Sequence, residues 1–138
     1  MADTLKLEIV TPESKIYSED VEMVTLPGNE GEAGIYPNHV PLMTQVHAGE
    51  LIAKKGGTEE VLAIGAGFAE ITADHVAILT DSAANSDDID EAAAEEAKTK
   101  AENHLREGGD ISEDEARILN QSILYSQAQI RAKRRKRN

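Results

Sequence analysis

The feature that most limits the fold of this chain is a change of pattern after Asp81. Before it, apolar and polar residues alternate in short runs broken by glycine, proline and polar turns. From Asp87 onward there is no proline, and the composition turns to Ala, Glu, Lys and Leu. Leu5-Lys6-Leu7-Glu8-Ile9 has the two-residue period of a half-buried strand, and Thr11-Pro12-Glu13-Ser14 supplies a turn behind it. Further strands are predicted at Lys15–Tyr17, Val21–Leu26, Pro41–Val46, Glu50–Lys54, Glu60–Ile64, Gly67–Thr72 and His75–Thr80. Gly56-Gly57 and Ala73-Asp74 are placed as hairpin turns between them. So many short strands with frequent turn signals predict an all-β sandwich or barrel.

The second part reads as two helices. Asp87, Asp88, Asp90 and Glu91 crowd a first turn, where carboxylates complement the helix dipole. Ile89, Ala93, Ala97, Ala101 and Leu105 then recur at helical spacing, and Gly108-Gly109 ends the run. Ser112 to Glu115 form a capping box for a second helix, whose apolar stripe includes Ala116, Leu119, Ile123 and Ile130. The domains are expected at 1–85, a β unit, and 86–138, an antiparallel helical hairpin. The first helix offers mainly alanines, and each buried methyl or methylene contributes only about 0.8 kcal/mol. Such a seam between two good helix formers suits rearrangement.

Charge is uneven. Residues 1–130 hold all 26 acidic residues and 8 of the 14 basic ones, a net −18. The other six basic residues form the tail: Arg131, Lys133, Arg134, Arg135, Lys136 and Arg137. An acidic body repels nucleic acid and anionic lipid, so neither nucleic acid nor lipid insertion is expected; a local acidic protein patch suits the tail better. The plain alternative is a solvated helix end that complements the dipole. No apolar run approaches the ~20 residues of a membrane helix. The N-terminus MADTLKLEIV lacks the plan of a secretory or transit leader, and cysteine is absent. Aromatics are few (Tyr17, Tyr36, Phe68, Tyr125), which disfavours base-stacking surfaces.

Motifs for chemistry are sparse. His39, His47, His75 and His104 lack metal-ligand spacing, so no metal and no cofactor are expected. Gly65-Ala66-Gly67 begins like a dinucleotide fingerprint, but a strand follows it, and a turn or bulge explains it better. Glu30 and Glu32 have the residue types of an acid–base pair, a role that requires one buried carboxyl. Solvated acids displaying charge to a partner are the preferred reading.

Those two acids belong to the segment Leu26–Leu42, LPGNEGEAGIYPNHVPL. Three glycines and three prolines (Gly28, Gly31, Gly34; Pro27, Pro37, Pro41) specify a tight, shaped loop. Together with LEIVTPESKIYSEDVE before it, GAGFAEITADHVAILTDSA at Gly65–Ala83 and DDIDEAAAEEA from Asp87, it resembles the epsilon subunits of bacterial F-type ATP synthases. The likeness covers essentially the whole chain. It implies a ten-stranded β sandwich followed by two helices. It also implies a central-stalk subunit without an active site, which couples ion-driven rotation to ATP synthesis and restrains ATP hydrolysis through its helices.

The implied partners are the gamma subunit, the ring of c subunits, and the catalytic beta and alpha subunits. The implied location is peripheral, on the cytoplasmic face of the bacterial plasma membrane. By position Glu30, Gly31 and Glu32 match the loop that faces the c ring, Pro37, His39 and Pro41 shape it, and the basic tail is inhibitory. Members that bind ATP on the helices resemble I-D-x-x-R-A, whereas here Ile89 and Asp90 are followed by Ala93 in place of the arginine. Alanine supplies no forked donor for phosphate, so nucleotide sensing is not expected. Without the resemblance, the residues leave open a free-standing small-molecule-binding β domain or a hydrolase using Glu30 and Glu32.

Overall fold

The computed structural model describes residues 4–28 and 31–137. Among them are ten strands: β1 Leu5–Val10, β2 Lys15–Val21, β3 Met23–Gly28, β4 Gly31–Ile35, β5 Leu42–Val46, β6 Gly49–Lys55, β7 Thr58–Ile64, β8 Gly67–Ile71, β9 His75–Thr80 and β10 Ala83–Asn85. A 3-10 turn at Ser86–Asp88 leads to α1 (Glu91–Glu107) and α2 (Glu113–Arg137). The strands form two five-stranded sheets, β2-β1-β9-β8-β5 and β10-β7-β6-β3-β4. The expected sandwich with a helical hairpin behind it is therefore present.

Alternation produces this packing directly. Leu5, Leu7 and Ile9 of β1, with Val76 and Ile78 of β9, point inward from the first sheet. They meet Val24, Leu26, Leu51, Leu62 and Ile64 of the second sheet in one buried core. Outward positions on β1 and β9 carry Lys6, Glu8, His75 and Leu79, as a half-solvated sheet requires. The expected turns form: Gly56 and Gly57 adopt φ +59° and +83°, which glycine tolerates without a Cβ clash.

Three details correct the sequence reading. Val21–Leu26 is not one strand: β2 ends at Val21 and β3 begins at Met23, so the chain changes sheets at Glu22. The Glu22 N–H donates to the Lys54 carbonyl at 2.7 Å at that crossing. Leu26–Leu42 is not wholly loop either. Gly31–Ile35 forms β4, pairing with β3 from Gly28↔Gly31 to Val24↔Ile35. Two glycines give this strand little intrinsic preference, so ladder pairing at the sheet edge overrides propensity. Finally, β10 pairs Ala83–Asn85 with Leu62–Ile64 of β7, where no strand is expected.

The helices also differ in detail. The acidic cluster is split: Asp87 and Asp88 lie in the 3-10 turn, and Asp90 caps α1. On α1 the buried residues are Ala94 and Ala101, whereas Ala93 and Ala97 are exposed, so the expected stripe holds at Ala101 and is displaced by one residue, to Ala94, in the first turn. The Ser112 hydroxyl accepts the Glu115 N–H at 3.1 Å, as the capping box requires. α2 lies between two neighbours. Ala128 and Ala132 pack with Ile89 of the linker and Val61 and Ala63 of β7. Ala116, Leu119, Ile123 and Ile130 project from the opposite side, at the spacing that turns them toward α1.

A surface cluster on the first sheet adds a pH-dependent contribution. The Lys15 Nζ and His75 Nε2 donate to the Glu8 carboxylate at 2.5 and 2.6 Å. These bonds, Lys15 first, hold its pKa down at about 2 from the ordinary 4.5. A depressed carboxylate pKa stabilises the fold fully above the unfolded value, and the contribution is lost as pH falls from about 4.5 through 2. Glu8→Gln is therefore expected to lower the thermal midpoint at pH 7 and to flatten its fall between pH 4.5 and 2. Calorimetry across that range checks it; parallel curves for the two proteins would remove Glu8 from the acid response.

Candidate functional site

The β3–β4 hairpin carries the first set of candidate residues. Gly31 adopts φ +107°, with open space where a Cβ would sit. Glu32 is exposed on β4 opposite Pro27. Glu30 lies outside the described residues, so the spacing of the two acids is not defined. Glu32 also borders a cleft of about 480 Å³ between β4 and β5, lined by Leu26, Ile35, Leu42 and Ile71 among others.

Behind the hairpin, Pro37, His39 and Pro41 lie in the irregular segment between β4 and β5. His39 Nδ1–H donates to the adjacent Val40 carbonyl at 2.6 Å, a local bond. The tertiary tie comes from Asn38, whose N–H donates to the Ala73 carbonyl at 2.6 Å while its backbone takes φ +69°. Asparagine tolerates that left-handed conformation, and a Pro-Asn pair was the available signal for it.

At the start of α1, each residue of the Ile89-Asp90…Ala93 pattern has a structural task or faces solvent. Ile89 is buried beneath α2, the Asp90 carboxylate accepts the Ala93 N–H at 3.1 Å as the N-cap, and the Ala93 side chain is exposed. Arg106 pairs with Asn103 and Arg117 lies 3.4 Å from Asp114, each three residues away on its own helix.

The basic tail folds back onto its own molecule. Arg131 and Arg135 both approach Glu50 of β6, at 3.3 and 3.2 Å. Arg134 reaches Glu91 and Glu95 of α1, each at 3.4 Å. Lys133 donates to the Ser86 carbonyl at 3.1 Å, and Lys136 to the Glu59 carbonyl at 3.0 Å. The Arg137 side chain lies outside what the structure describes. Sequence reading named these cations but not Glu50, which carries no local mark of its role.

The first sheet presents a different surface. Phe68 and Leu79 are cross-strand partners and stand 50% and 49% exposed, with Met43 64% exposed on β5. Phe68 and Leu79 also line a groove of about 720 Å³ together with Val10, His47 and Gln121. Because α2 packs on β6 and β7 of the second sheet, the two faces of the sandwich are treated differently. The signal for this ridge was in the sequence: Phe68 is in phase with the solvent-facing Glu70. Among the described residues no helix is long and apolar enough to cross a membrane, and no group of three His, Cys, Asp or Glu is placed to hold a metal.

Comparison with known proteins places this arrangement. Residues 4–86 match the family model described as the β-sandwich domain of the ATP synthase delta/epsilon chain. An ATP synthase epsilon chain of Dehalococcoides mccartyi is 51% identical over 98 residues, 71% of this chain and 70% of that one. That of Herpetosiphon aurantiacus is 38% identical over 133 residues, covering 94% and 98%. Among solved structures, a chain of the mitochondrial ATP synthase of Euglena gracilis shares the fold, with TM-score 0.73 and 22% identity over 93% of this chain and 80% of that one. With the sandwich domain matched throughout and a 38% identical relative covering 94% of its length, this chain belongs to the ATP synthase delta/epsilon family, among its epsilon chains.

Proposed function

We propose that this subunit sits in the central stalk of an F-type ATP synthase, docked on gamma and on the c ring through its sandwich, and couples ring rotation to ATP synthesis. It has no active site of its own. The one observation that carries the docking assignment is the unequal covering of the two sheets. The subunit's own α2 lies on the second, and the first leaves Phe68, Leu79 and Met43 to solvent. Apolar side chains gathered at a groove are what a protein partner buries.

Residues 1–85 serve as the assembly unit and 86–138 as the regulatory one, with the basic tail restraining ATP hydrolysis by pairing with acidic segments of the catalytic beta and alpha subunits. The subunit is peripheral, on the cytoplasmic face of the bacterial membrane. Nucleotide sensing has no part in this reading, because Asp90 is used as a cap and Ala93 offers no donor.

The β3–β4 hairpin, with Glu30, Gly31 and Glu32, faces the polar loops of the c ring. Strand pairing along Pro27↔Glu32 and Gly28↔Gly31 gives it a firm stem. Cysteine at Glu30 or Glu32 is expected to cross-link to a cysteine in a ring loop of the assembled enzyme. Cross-links from other surface positions with none from either of these would move the ring contact elsewhere. Purification from solubilised membranes tests the whole reading: the subunit should emerge within a large ATPase complex and not as a free protein.

A further inference from the structure

The two sheets end in edge strands, β2 and β5 on the first, β10 and β4 on the second. An open edge presents unpaired N–H and C=O groups, and natural chains guard against stray pairing there with charge, shortness or irregular backbone. β2 carries Lys15, Glu19 and Asp20, β10 has three residues, and β4 holds Glu32 between two glycines. β5, Leu42-Met43-Thr44-Gln45-Val46, is five residues long and has no charge. Among the described residues it is the one edge without such a guard.

The free groups of that edge follow from the ladder. The Thr72 N–H donates to the His75 carbonyl at 2.8 Å, closing the β8–β9 turn. Bonded pairs alternate from there, so Gly67, Ala69 and Ile71 turn their backbone groups away from β9 and toward β5. Their partners Val46, Thr44 and Leu42 are thereby paired, and the N–H and C=O of Met43 and Gln45 point out of the edge. Two residues beyond Gln45, and on the same side, the His47 N–H donates to the Pro27 carbonyl at 2.9 Å and closes that end of the slot.

The space beside this edge is shaped for more chain. The cleft of about 480 Å³ between β4 and β5 reaches the core side chains Leu26, Ile35, Val46 and Ile71, so the seam between the sheets is unfilled there. A strand laid along β5 would place alternate side chains over that cleft and the others beside Met43, next to the Phe68–Leu79 ridge. Glu32 at the rim of the cleft and Glu70 opposite Met43 favour a donor with lysine or arginine at its flanks.

We propose that β5 is the acceptor for a strand donated by gamma, an extended segment with alternating apolar residues and basic flanks, which becomes the sixth strand of the first sheet. The choice of gamma rests on the docking reading above, because edge and ridge form one continuous surface. The acceptor role rests on the backbone geometry alone. Side-chain docking on the ridge needs no backbone bonds, so the two are separable.

Hydrogen exchange resolved to single amides tests this on the full-length subunit, alone and with purified gamma. In the free subunit the amides of Leu42, Thr44 and Val46 should exchange slowly and those of Met43 and Gln45 quickly. Gamma is expected to slow Met43 and Gln45 by roughly tenfold or more, an alternation that burial beneath side chains would not produce. Gln45→Pro removes one outward donor and spares the β8 ladder. It is expected to weaken gamma binding roughly tenfold, whereas Gln45→Ala, which keeps the N–H, should stay within about twofold of wild type.

Gamma binding that depends on Phe68 and Leu79 but leaves the exchange of Met43 and Gln45 unchanged overturns the strand and leaves the docking reading standing. Slowed exchange with binding indifferent to substitution of Phe68 and Leu79 does the reverse. If both amides are slow in the free subunit and quicken on dilution, a second copy occupies the edge and the assignment to gamma falls.

Discussion

Replacing Phe68 and Leu79 together by aspartate is expected to weaken binding to purified gamma by about a hundredfold, the loss of a central apolar contact plus the cost of burying charge. The two side chains are neighbours across β8 and β9 and both face away from the core, so the core loses no packing. Aspartate is a poor strand former, so Phe68→Thr with Leu79→Thr is the companion variant: it keeps strand preference, adds no charge, and should still lose most of the affinity. A chain ending at Asn85 should keep most of the affinity for gamma, because α2 packs on the second sheet and gives the groove beside Phe68 and Leu79 the polar side chain of Gln121. Equilibrium titration of labelled gamma reads all four proteins. Wild-type affinity in the aspartate variant would mean that gamma docks elsewhere.

The next largest effect is expected from the tail. Replacing Arg131, Lys133, Arg134, Arg135, Lys136 and Arg137 by alanine should raise ATP hydrolysis of the assembled enzyme several-fold and leave assembly intact. Alanine replacement is preferable to deletion, because Ala132 is fully buried against the sandwich and truncation would remove that contact as well. α2 has 25 residues and spans about 37 Å at 1.5 Å per residue, enough to carry its basic end well along the stalk once released. High salt should shrink the difference between the two enzymes by screening the wild-type pairs. If the neutralised enzyme hydrolyses ATP at the wild-type rate in low salt, the tail acts only within its own subunit.

Much of the architecture was legible because it rests on periodicity. The two-residue alternation of Leu5–Ile9, the Gly56-Gly57 turn and the Ser112 cap each specify local geometry without outside help. The misreadings have physical causes. Gly31–Ile35 becomes a strand through its neighbour β3, and a propensity argument cannot see a neighbour. On α1 the alanines at 92, 93, 94, 97 and 101 lie around most of the helix, so their spacing does not single out a buried side. The continuous run Val61–Ile64 was itself a signal that β7 is covered on both faces, by the core and by α2. The partner of the tail was hidden for a different reason. Glu50 and Arg135 are 85 positions apart, and nothing local in either names the other.

The parallel pairing of β1 with β9 has a kinetic consequence. The first strand occupies the interior of its sheet, between β2 and β9, and Glu8 meets His75 across 67 positions of chain. During synthesis, β1 and β2 can form a hairpin early, but a lone two-stranded hairpin is marginal in water. The sheet closes only when β9 leaves the ribosome, so the nascent chain carries Leu5, Leu7 and Ile9 uncovered until most of the sandwich has emerged. Pairing across so long a loop slows folding, and α1 and α2 are added to a body already complete.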